Sequence, residues 1–280
     1  MKLKIIGSGG CVSTPRPCCT CQVCVEAREK GFPYARTGCS LLIEDAVLID
    51  TPEDIGYGLN NAGVETIDYI LYSHCDPDHT MGMRVVEQLK MDWLAVSLGK
   101  SARDPIKIAT LPTILDDIRL QRTRYGSVLN YYEMRGLVET EAVYDLDING
   151  IKIELVPTDD TEHVAIFVIS DIQRKVIYAP CDVKPFPESS KFYGADLMII
   201  GNTIVGETLK GGFALSADNP LRNELFVMEE VIELQKKYNI KEVIITHLEE
   251  DWGKSYDDYK ELEKRYQGIR FAYDGMDIAL

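Results

Sequence analysis

The chain has 280 residues, 45% hydrophobic and 27% charged, which excludes a disordered chain because there is enough apolar material for a substantial core. The formal net charge of -15 repels polyanions and so disfavours a nucleic acid partner. No run approaches the roughly 18 apolar residues of a membrane-spanning helix, and the first residues do not resemble a signal peptide. We therefore expect a single cytoplasmic domain over residues 1–280, without a membrane partner, and leave open whether it forms a homodimer.

Strands and helices alternate through the first half of the chain. Apolar runs predict strands at KLKIIG and TIDYILYS and a hairpin at SLLIEDAVLID, whose turn lies at Glu44-Asp45. Helices are predicted for PEDIGYGLNNAG and HTMGMRVVEQLK. A further helix from Leu111 gives way to a less regular segment by about Gly126.

Hairpins open the second half, and helices and strands alternate again after them. The Asn149-Gly150 dipeptide predicts a type I′ turn, and a second hairpin turns around Asp171 to Arg174. Strands are then predicted at ADLMIIG, KEVIITH and RFAYDGMDIAL, with helices at LFVMEEVIELQKKYN and SYDDYKELEKRYQG. This order predicts an α/β fold in which two mixed sheets lie between outer helices.

Polar residues gather where the predicted strands end. They form five clusters: Asp50, His74 to His79, Asp159-Asp160, Cys181-Asp182 and His247. Strand ends on one edge of an α/β sandwich are where sites are built, so we expect these clusters to converge.

The densest cluster is the stretch SHCDPDHTMG. His74, Asp76, Asp78 and His79 lie around Pro77 between a strand and a helix, and such a turn can offer two adjacent cations separate ligands. The alternative is that Asp78 only caps the helix while His74 is an ordinary strand-end histidine.

The motif HCDPDH resembles the H-x-H-x-D-H signature of the metallo-β-lactamase superfamily, with Asp76 where the second histidine normally stands. The opening GSGG turn, the VLIDTP segment and the IITH strand end also resemble that superfamily. Within it, the sequence is most similar to the phosphodiesterase family of the carbon-phosphorus lyase pathway, which has C-x-C-x-x-C, T-H-x-x-H and D-G-M. The resemblance implies an αββα four-layer sandwich.

The resemblance also implies two divalent metal ions, zinc, manganese or iron, and a set of ligands. The first metal would be held by His74, Asp76 and a residue after Pro157, either Asp160 or His163; the second by Asp78, His79 and His247; and Asp182 would bridge them. Asp78 and Asp50 are the implied catalytic carboxylates, with Asp50 orienting the histidines. If Asp76 and Asp160 both replace histidines, the first position is oxygen-rich and should prefer manganese or ferrous iron, and a bound water should be less acidic.

A second metal site is predicted at PCCTCQVC. Cys19, Cys21 and Cys24 provide three thiolates for a structural zinc, and the family's fourth ligand falls on Glu250, with Cys18 as the local alternative. Unmetallated thiols are the competing hypothesis. Three of the other cysteines are interpreted as packing residues: Cys11, Cys39 and Cys75. Cys181 is interpreted as a neighbour of the metals and not as a ligand.

Three arginines, Arg119, Arg122 and Arg124, stand out in an acidic protein and either contact phosphate or form a solvated surface. Two metals favour hydrolysis at phosphorus by a metal-activated water. The function we expect is therefore a phosphodiesterase for a small, cyclic or linear diester. The alternatives are an RNA-processing nuclease of the same superfamily, and a non-catalytic relative similar to the pyrroloquinoline quinone synthesis protein.

Overall fold

Two seven-stranded mixed sheets form the centre of the computed structural model, which describes residues 1–100 and 104–280. From edge to edge, the first sheet contains β18 (Asp277–Ala279), β1 (Lys2–Gly7), β2 (Ser40–Ile43), β3 (Val47–Ile49), β4 (Tyr69–Leu71), β5 (Ile106–Thr110) and β8 (Val138–Ala142). The second contains β17 (Ile269–Phe271), β16 (Glu242–Ile245), β13 (Leu197–Ile200), β12 (Lys175–Ala179), β11 (Ala165–Ser170), β10 (Ile151–Pro157) and β9 (Asp145–Ile148). Two short pairs lie outside these sheets, β6 (Arg122–Thr123) with β7 (Gly126–Ser127) and β14 (Thr203–Ile204) with β15 (Phe226–Val227).

Ten α-helices connect the strands in the described part of the chain. They are α1 (Gln22–Lys30), α2 (Ile55–Asn61), α3 (Pro77–Thr80), α4 (Val85–Lys90), α5 (Trp93–Ser97), α6 (Pro112–Arg119), α7 (Val128–Met134), α8 (Leu221–Glu224), α9 (Met228–Lys237) and α10 (Tyr256–Glu263). Short 3₁₀ helices cover Met81–Arg84, Ser190–Phe192, Lys210–Gly212 and Glu250–Trp252. No described helix is both long enough and apolar enough to cross a membrane.

Strand β11 shows how the layers are built. Its side chains alternate between two cores: Phe167 and Ile169 belong to the core shared with the first sheet, whereas Ile166 and Val168 belong to the core on the opposite face. The second core also contains Val231 of α9. Because both faces of the strand are buried, it reads as a continuous apolar run. The predicted arrangement of two sheets between helices is confirmed.

The parallel part of each sheet determines where the site lies. In the first sheet β3 and β4 are parallel, and in the second β12, β13 and β16 are parallel. Carboxyl ends of parallel strands point to the same edge, which is where α/β folds place their sites. Asp50, Ser73, Cys181, Asn202 and His247 all lie within two residues of such an end.

Three predicted elements are wrong in detail. The helix predicted for HTMGMRVVEQLK is divided into the end of α3, the 3₁₀ helix Met81–Arg84 and α4. The segment RFAYDGMDIAL is not one strand, because β17 and β18 lie in different sheets. The chain turns between them at Asp274, whose buried carboxylate accepts hydrogen bonds from the amide and hydroxyl groups of Ser8 and Thr37. The helix predicted from Leu225 begins instead at Met228, because the two preceding residues pair with β14.

The predicted hairpins are confirmed. In the β9–β10 hairpin, Asn149 and Gly150 have φ values of 55° and 85°, the left-handed geometry that a type I′ turn requires at both central residues. Glu44 and Asp45, with φ values of 49° and 57°, form the turn between β2 and β3.

Candidate metal centre

Four of the five predicted clusters meet at one edge of the sandwich. The imidazole of His79 lies between those of His74 and His247, with ring centroids 4.2 Å and 5.3 Å away. The Nε2 atoms of His79 and His247 are 3.3 Å apart. Two bare imidazole nitrogens at this distance need a proton or a cation between them, so the contact already favours a bound positive charge.

The helix after the motif directs Asp78 toward these histidines. Pro77 occupies the first position of α3, where its missing N–H has no cost, and Asp78 follows in the first turn. The Asp78 carboxylate lies 3.5 Å from His79 Nε2 and 3.3 Å from His247 Nε2. No side-chain hydrogen bond caps this helix, so the capping alternative for Asp78 is wrong.

The donor atoms fall into three overlapping groups whose members lie within 4.8 Å of one another. The groups are Asp78, His79 and His247; His74, Asp76 and Asp182; and His74, His79 and Cys181. The first two groups coincide with ligands expected for the second and first metals. That these residues hold ions stays a prediction, but the structure brings the donors together.

Asp50 connects two of the histidines. Its buried carboxylate accepts hydrogen bonds from the amide and hydroxyl of Ser73, at 2.8 and 2.7 Å, and lies 2.8 Å from His79 Nδ1. The Ser73 hydroxyl in turn lies 2.9 Å from His74 Nδ1. Both rings are therefore held through Nδ1, which turns each Nε2 toward the donor groups.

Glu249 orients His247 in the same way, and the sequence did not identify Glu249 as a residue of the site. One oxygen lies 3.3 Å from His247 Nδ1, and the carboxylate also accepts hydrogen bonds from the amides of Cys11 and Val12. A β-carbon at Gly10 would lie 2.1 Å from that carboxylate, so a larger residue there would displace the Glu249 side chain from its place beside His247. The GSGG turn is thus the signal that could have pointed to a close approach.

Three residues of the centre adopt left-handed backbone conformations. The φ values are 65° for Asp50, 52° for Asp182 and 54° for His247. Such conformations cost about 1–2 kcal/mol per residue outside glycine, and they concentrate at functional sites. The strand ends are therefore bent at the points where they present these side chains.

Cys181 is the largest correction to the sequence interpretation. It is buried, and its thiol lies within one donor group with His74 and His79. Burial raises the pKa of this thiol, but the neighbouring His247, His74 and His79 outweigh it and lower the pKa to about 5. Asp182, the predicted bridge, is exposed and grouped with His74 and Asp76. Cys181 is therefore a candidate ligand and not only a neighbour of the metals.

Asp78 and Cys181 have lowered pKa values, whereas His79 and His247 have raised ones. Burial disfavours the charged forms of Asp78 and His247, yet their mutual contact holds the pKa of Asp78 below its usual range, and Cys181 and Asp78 raise that of His247. Burial likewise lowers the pKa of His79, but Asp50 outweighs it and raises the pKa well above the ordinary value. The structure thus favours anionic oxygen and sulfur around imidazoles, which suits divalent cations.

A second observation also fits a metal. His74 is 2% exposed, and its Nε2 has no hydrogen-bond partner among the described residues. A buried nitrogen without a partner is costly unless a cation takes the place of the missing donor. The donor set therefore fits divalent metal ions.

Two predicted ligands are not brought to this centre. His163 is half exposed, and its Nδ1 lies 2.6 Å from Asp117. Asp160 is exposed, and neither residue belongs to a donor group in the described ranges. The TDDTEH segment forms its own turn, in which Asp159 accepts hydrogen bonds from Thr161.

The cysteine cluster is a separate group of four donors, Cys19, Cys21, Cys24 and Glu250. The three sulfurs lie 3.7, 3.3 and 3.1 Å from one oxygen of Glu250, which is 1% exposed. Cys18 is exposed and outside the group, so the structure supports Glu250 in the choice of fourth donor. A buried carboxylate packed against three thiols fits a bound cation, and the side chain of Lys210 now contacts both Cys19 and Glu250.

The remaining candidates take structural or surface positions. Arg119 donates hydrogen bonds to both oxygens of Glu133, Arg122 is exposed, and the Arg124 guanidinium stacks 4.6 Å from the ring centroid of Tyr125. Three cysteines have different surroundings: Cys39 is buried against Tyr178, Cys75 is partly buried beside Gln121, and Cys11 is exposed beside the centre instead of packed.

Comparisons with known proteins agree with this geometry. The sequence profile of the beta-lactamase superfamily domain matches residues 46–248. No curated protein sequence matches the chain significantly.

Several solved structures are similar in fold at low identity. A diphosphatase from the PhnP family is 17% identical with a TM-score of 0.69, covering 99% of this chain and 96% of that one. Zn²⁺-bound PqqB from Methylobacterium extorquens is also 17% identical with a TM-score of 0.69, and both chains are covered fully, at 100%. The short form of human tRNase Z is 14% identical with a TM-score of 0.58, covering 100% of this chain and 99% of that one. With the profile match and the paired sheets, the chain belongs to the metallo-β-lactamase superfamily.

Proposed function

We propose that this protein is a metal-dependent phosphodiesterase that hydrolyses a small, cyclic or linear phosphodiester. The observation that carries the proposal is the pair of adjacent donor groups, Asp78 with His79 and His247, and His74 with Asp76 and Asp182. Divalent cations bound by these two groups would supply a nucleophilic water at neutral pH and would stabilise negative charge on phosphate oxygens. The PhnP-family protein of similar fold is a diphosphatase, which acts at phosphorus, and this similarity supports phosphorus as the reaction centre here.

The chain's own residues have distinct roles in this proposal. Asp50 and Glu249 orient the three histidines through Nδ1, and the buried position of His79 excludes bulk water from its side of the centre. Asp76 and Asp182 are exposed, so this part of the centre is open to solvent. Asp78 keeps its negative charge over the whole physiological pH range because its pKa is held low.

The donor sets also lead to a proposal about metal preference. His74 with two carboxylates is the harder group and should favour manganese or ferrous iron, whereas the group of Asp78, His79 and His247 should be more zinc-like. Cys181 adds a soft donor next to His74 and His79, which moderates the preference for hard ions.

The test is metal-reconstituted activity. Metal-free protein is reconstituted with manganese, ferrous iron or zinc and assayed with bis(p-nitrophenyl) phosphate, and metal content is measured in the same samples. We expect about two active-site metals per chain and hydrolysis with at least one metal. His163→Ala is the matched histidine control, because His163 lies outside the donor groups, and it should retain activity.

The two alternatives make different predictions in the same experiment. An RNA-processing nuclease should cleave oligoribonucleotides with an affinity that falls steeply as salt is added. A non-catalytic relative should bind metal at the centre poorly and hydrolyse none of the esters. Either result would contradict the proposed phosphodiesterase.

A further inference from the structure

A cavity of about 510 Å³ opens beside His247, and most of its wall is apolar. Its lining includes His247, Asn202 and Cys11 of the metal centre and its surroundings. The apolar part of the lining consists of Leu209, Phe213, Leu215, Leu221, Leu225 and Trp252. Its size lies within the range of about 300–1,000 Å³ that is typical of small-molecule sites.

The segment between β14 and β15 supplies most of the apolar wall, and it is fixed in place. Lys184 donates hydrogen bonds to the carbonyls of Arg222 and Leu225, at 2.8 and 3.0 Å. Arg222 in turn donates to the carbonyls of Leu215 and Ser216. The wall is therefore formed before any ligand arrives, which lowers the entropic cost of binding.

Two large apolar side chains of this wall remain exposed. Phe213 is 56% exposed and Leu221 is 43% exposed. Each would lose water contact if an apolar group entered the cavity, with a gain of about 25 cal/mol per Å² of apolar surface removed from water. Because the same cavity reaches His247, a molecule held there would place its polar end at the metal centre.

The charged groups around the cavity are already paired. The ammonium group of Lys210 contacts Glu250 and Cys19, Arg16 donates to Asp251 at 3.0 Å, and Glu249 accepts from the backbone beside it. Among the residues that the structure describes in this wall, Lys210 is the one lysine or arginine, and its ammonium group is held at the cysteine cluster instead of pointing to a second phosphate site. A substrate with one negative charge and an apolar substituent fits this surface better than a nucleotide or a polyphosphate.

We propose that this cavity binds an apolar aryl or branched alkyl ester group of a singly charged phosphodiester, and that Phe213 and Leu221 determine this specificity. The proposal rests on the proposed function for the reaction at phosphorus. It adds the chemical class of the ester group that occupies the cavity beside His247.

The activity test keeps the leaving group constant and changes the other ester group. The substrates are p-nitrophenyl phenyl phosphate, p-nitrophenyl methyl phosphate and the p-nitrophenyl ester of thymidine 5′-phosphate. We expect kcat/KM for the phenyl diester to exceed that for the methyl diester by about tenfold or more, since burying a few apolar carbons is worth that much. Phe213→Ala and Leu221→Ala should reduce this ratio to about twofold. Leu94→Ala, an 80% exposed leucine outside the cavity wall, should leave the ratio unchanged.

A binding test does not depend on activity. Cys11 lies in the cavity wall and is exposed, whereas Cys18 is exposed outside it. Benzylphosphonate should slow iodoacetamide alkylation of Cys11, measured by mass spectrometry, by about fivefold at a concentration about four times its Kd. Methylphosphonate at that concentration should not, and Cys18 should react equally in all samples.

The outcomes separate the two proposals. Equal kcat/KM for the phenyl and methyl diesters, or a preference for the thymidine ester, would overturn the apolar specificity while leaving the phosphodiesterase intact. If no metal supports hydrolysis of any ester, the proposed function is wrong. In that case the Cys11 protection decides whether the cavity binds an apolar group, and equal protection by both phosphonates would overturn it.

Discussion

The cysteine cluster and the histidine centre are both groups of metal-type donors, but they are built in opposite ways. The cysteine cluster takes three donors from six consecutive residues and closes around them with Glu250, which is 1% exposed. The histidine centre collects its donors from the ends of strands in both sheets, and a cavity opens beside His247. Closed four-donor sites are typical of structural metals, and open sites of catalytic ones. The comparison teaches that the origin of the donors along the chain and the presence of a neighbouring cavity, more than donor type, distinguish the two groups.

The strongest way to break the comparison is to remove the central imidazole. His79→Ala should lower metal occupancy of the centre and reduce hydrolysis by about a thousandfold, because charge stabilisation worth several kcal/mol is lost. Elemental analysis and bis(p-nitrophenyl) phosphate hydrolysis provide the measurements. The cysteine cluster should keep its metal in this variant, and undiminished occupancy of the centre would contradict the assignment.

Opening the cysteine cluster should affect stability, not chemistry. Cys24→Ser removes a buried donor, and we expect loss of one zinc and of about 3 kcal/mol of unfolding free energy, because structural metal binding contributes directly to folding. Urea denaturation with and without chelator measures this effect. The control is Cys18→Ser, which lies outside the donor group and should behave like the native protein. Equal stability of the two variants would show that the cluster is unmetallated.

The orienting carboxylate offers a finer comparison within the histidine centre. Asp50→Asn keeps the size of the side chain but replaces one acceptor oxygen by a donor group, so the contacts with Ser73 and His79 can no longer all be satisfied. We expect activity or metal affinity to fall by about 10- to 100-fold, as is usual for partners of ligating histidines. Metal titration followed by activity assay gives both values, and a change of less than about twofold would contradict the role.

The smallest effect concerns proton affinity in the metal-free cysteine cluster. A hydrogen bond from the backbone of Cys21, with further contacts from Cys21 and Lys210, lowers the pKa of Cys19 to about 7, whereas burial raises that of Cys24. A lowered pKa means that the thiolate forms at lower pH, so alkylation of Cys19 should rise with a midpoint near pH 7 while Cys24 stays unreactive. Zinc should protect both thiols. Similar pH profiles for the two would show that the cluster is not built as described.

The local elements could be predicted because their signals are local. The Asn149-Gly150 turn, the apolar strand runs and the glycine-rich start of the chain each act within a few residues. The same holds for the density of donors between His74 and His79, and for the spacing of Cys19, Cys21 and Cys24. Contacts between residues that are far apart in the sequence could not be predicted. The final segment was predicted as one strand because nothing in RFAYDGMDIAL shows that Asp274 accepts hydrogen bonds from Ser8 and Thr37.

The sequence by itself determined the fold class, the superfamily and most of the donor residues, because hydrophobic periodicity and motif spacing are properties of short stretches. Only the tertiary structure decided which donors meet. Cys181 lies in one donor group with His74 and His79, and Glu250, not Cys18, lies with the three cysteines. His163 contacts Asp117 instead of the centre, and Asp160 is exposed. The physical reason is that these choices depend on the backbone direction at each strand end. The bends at Asp50, Asp182 and His247, together with packing between two sheets, set those directions only when the whole chain folds.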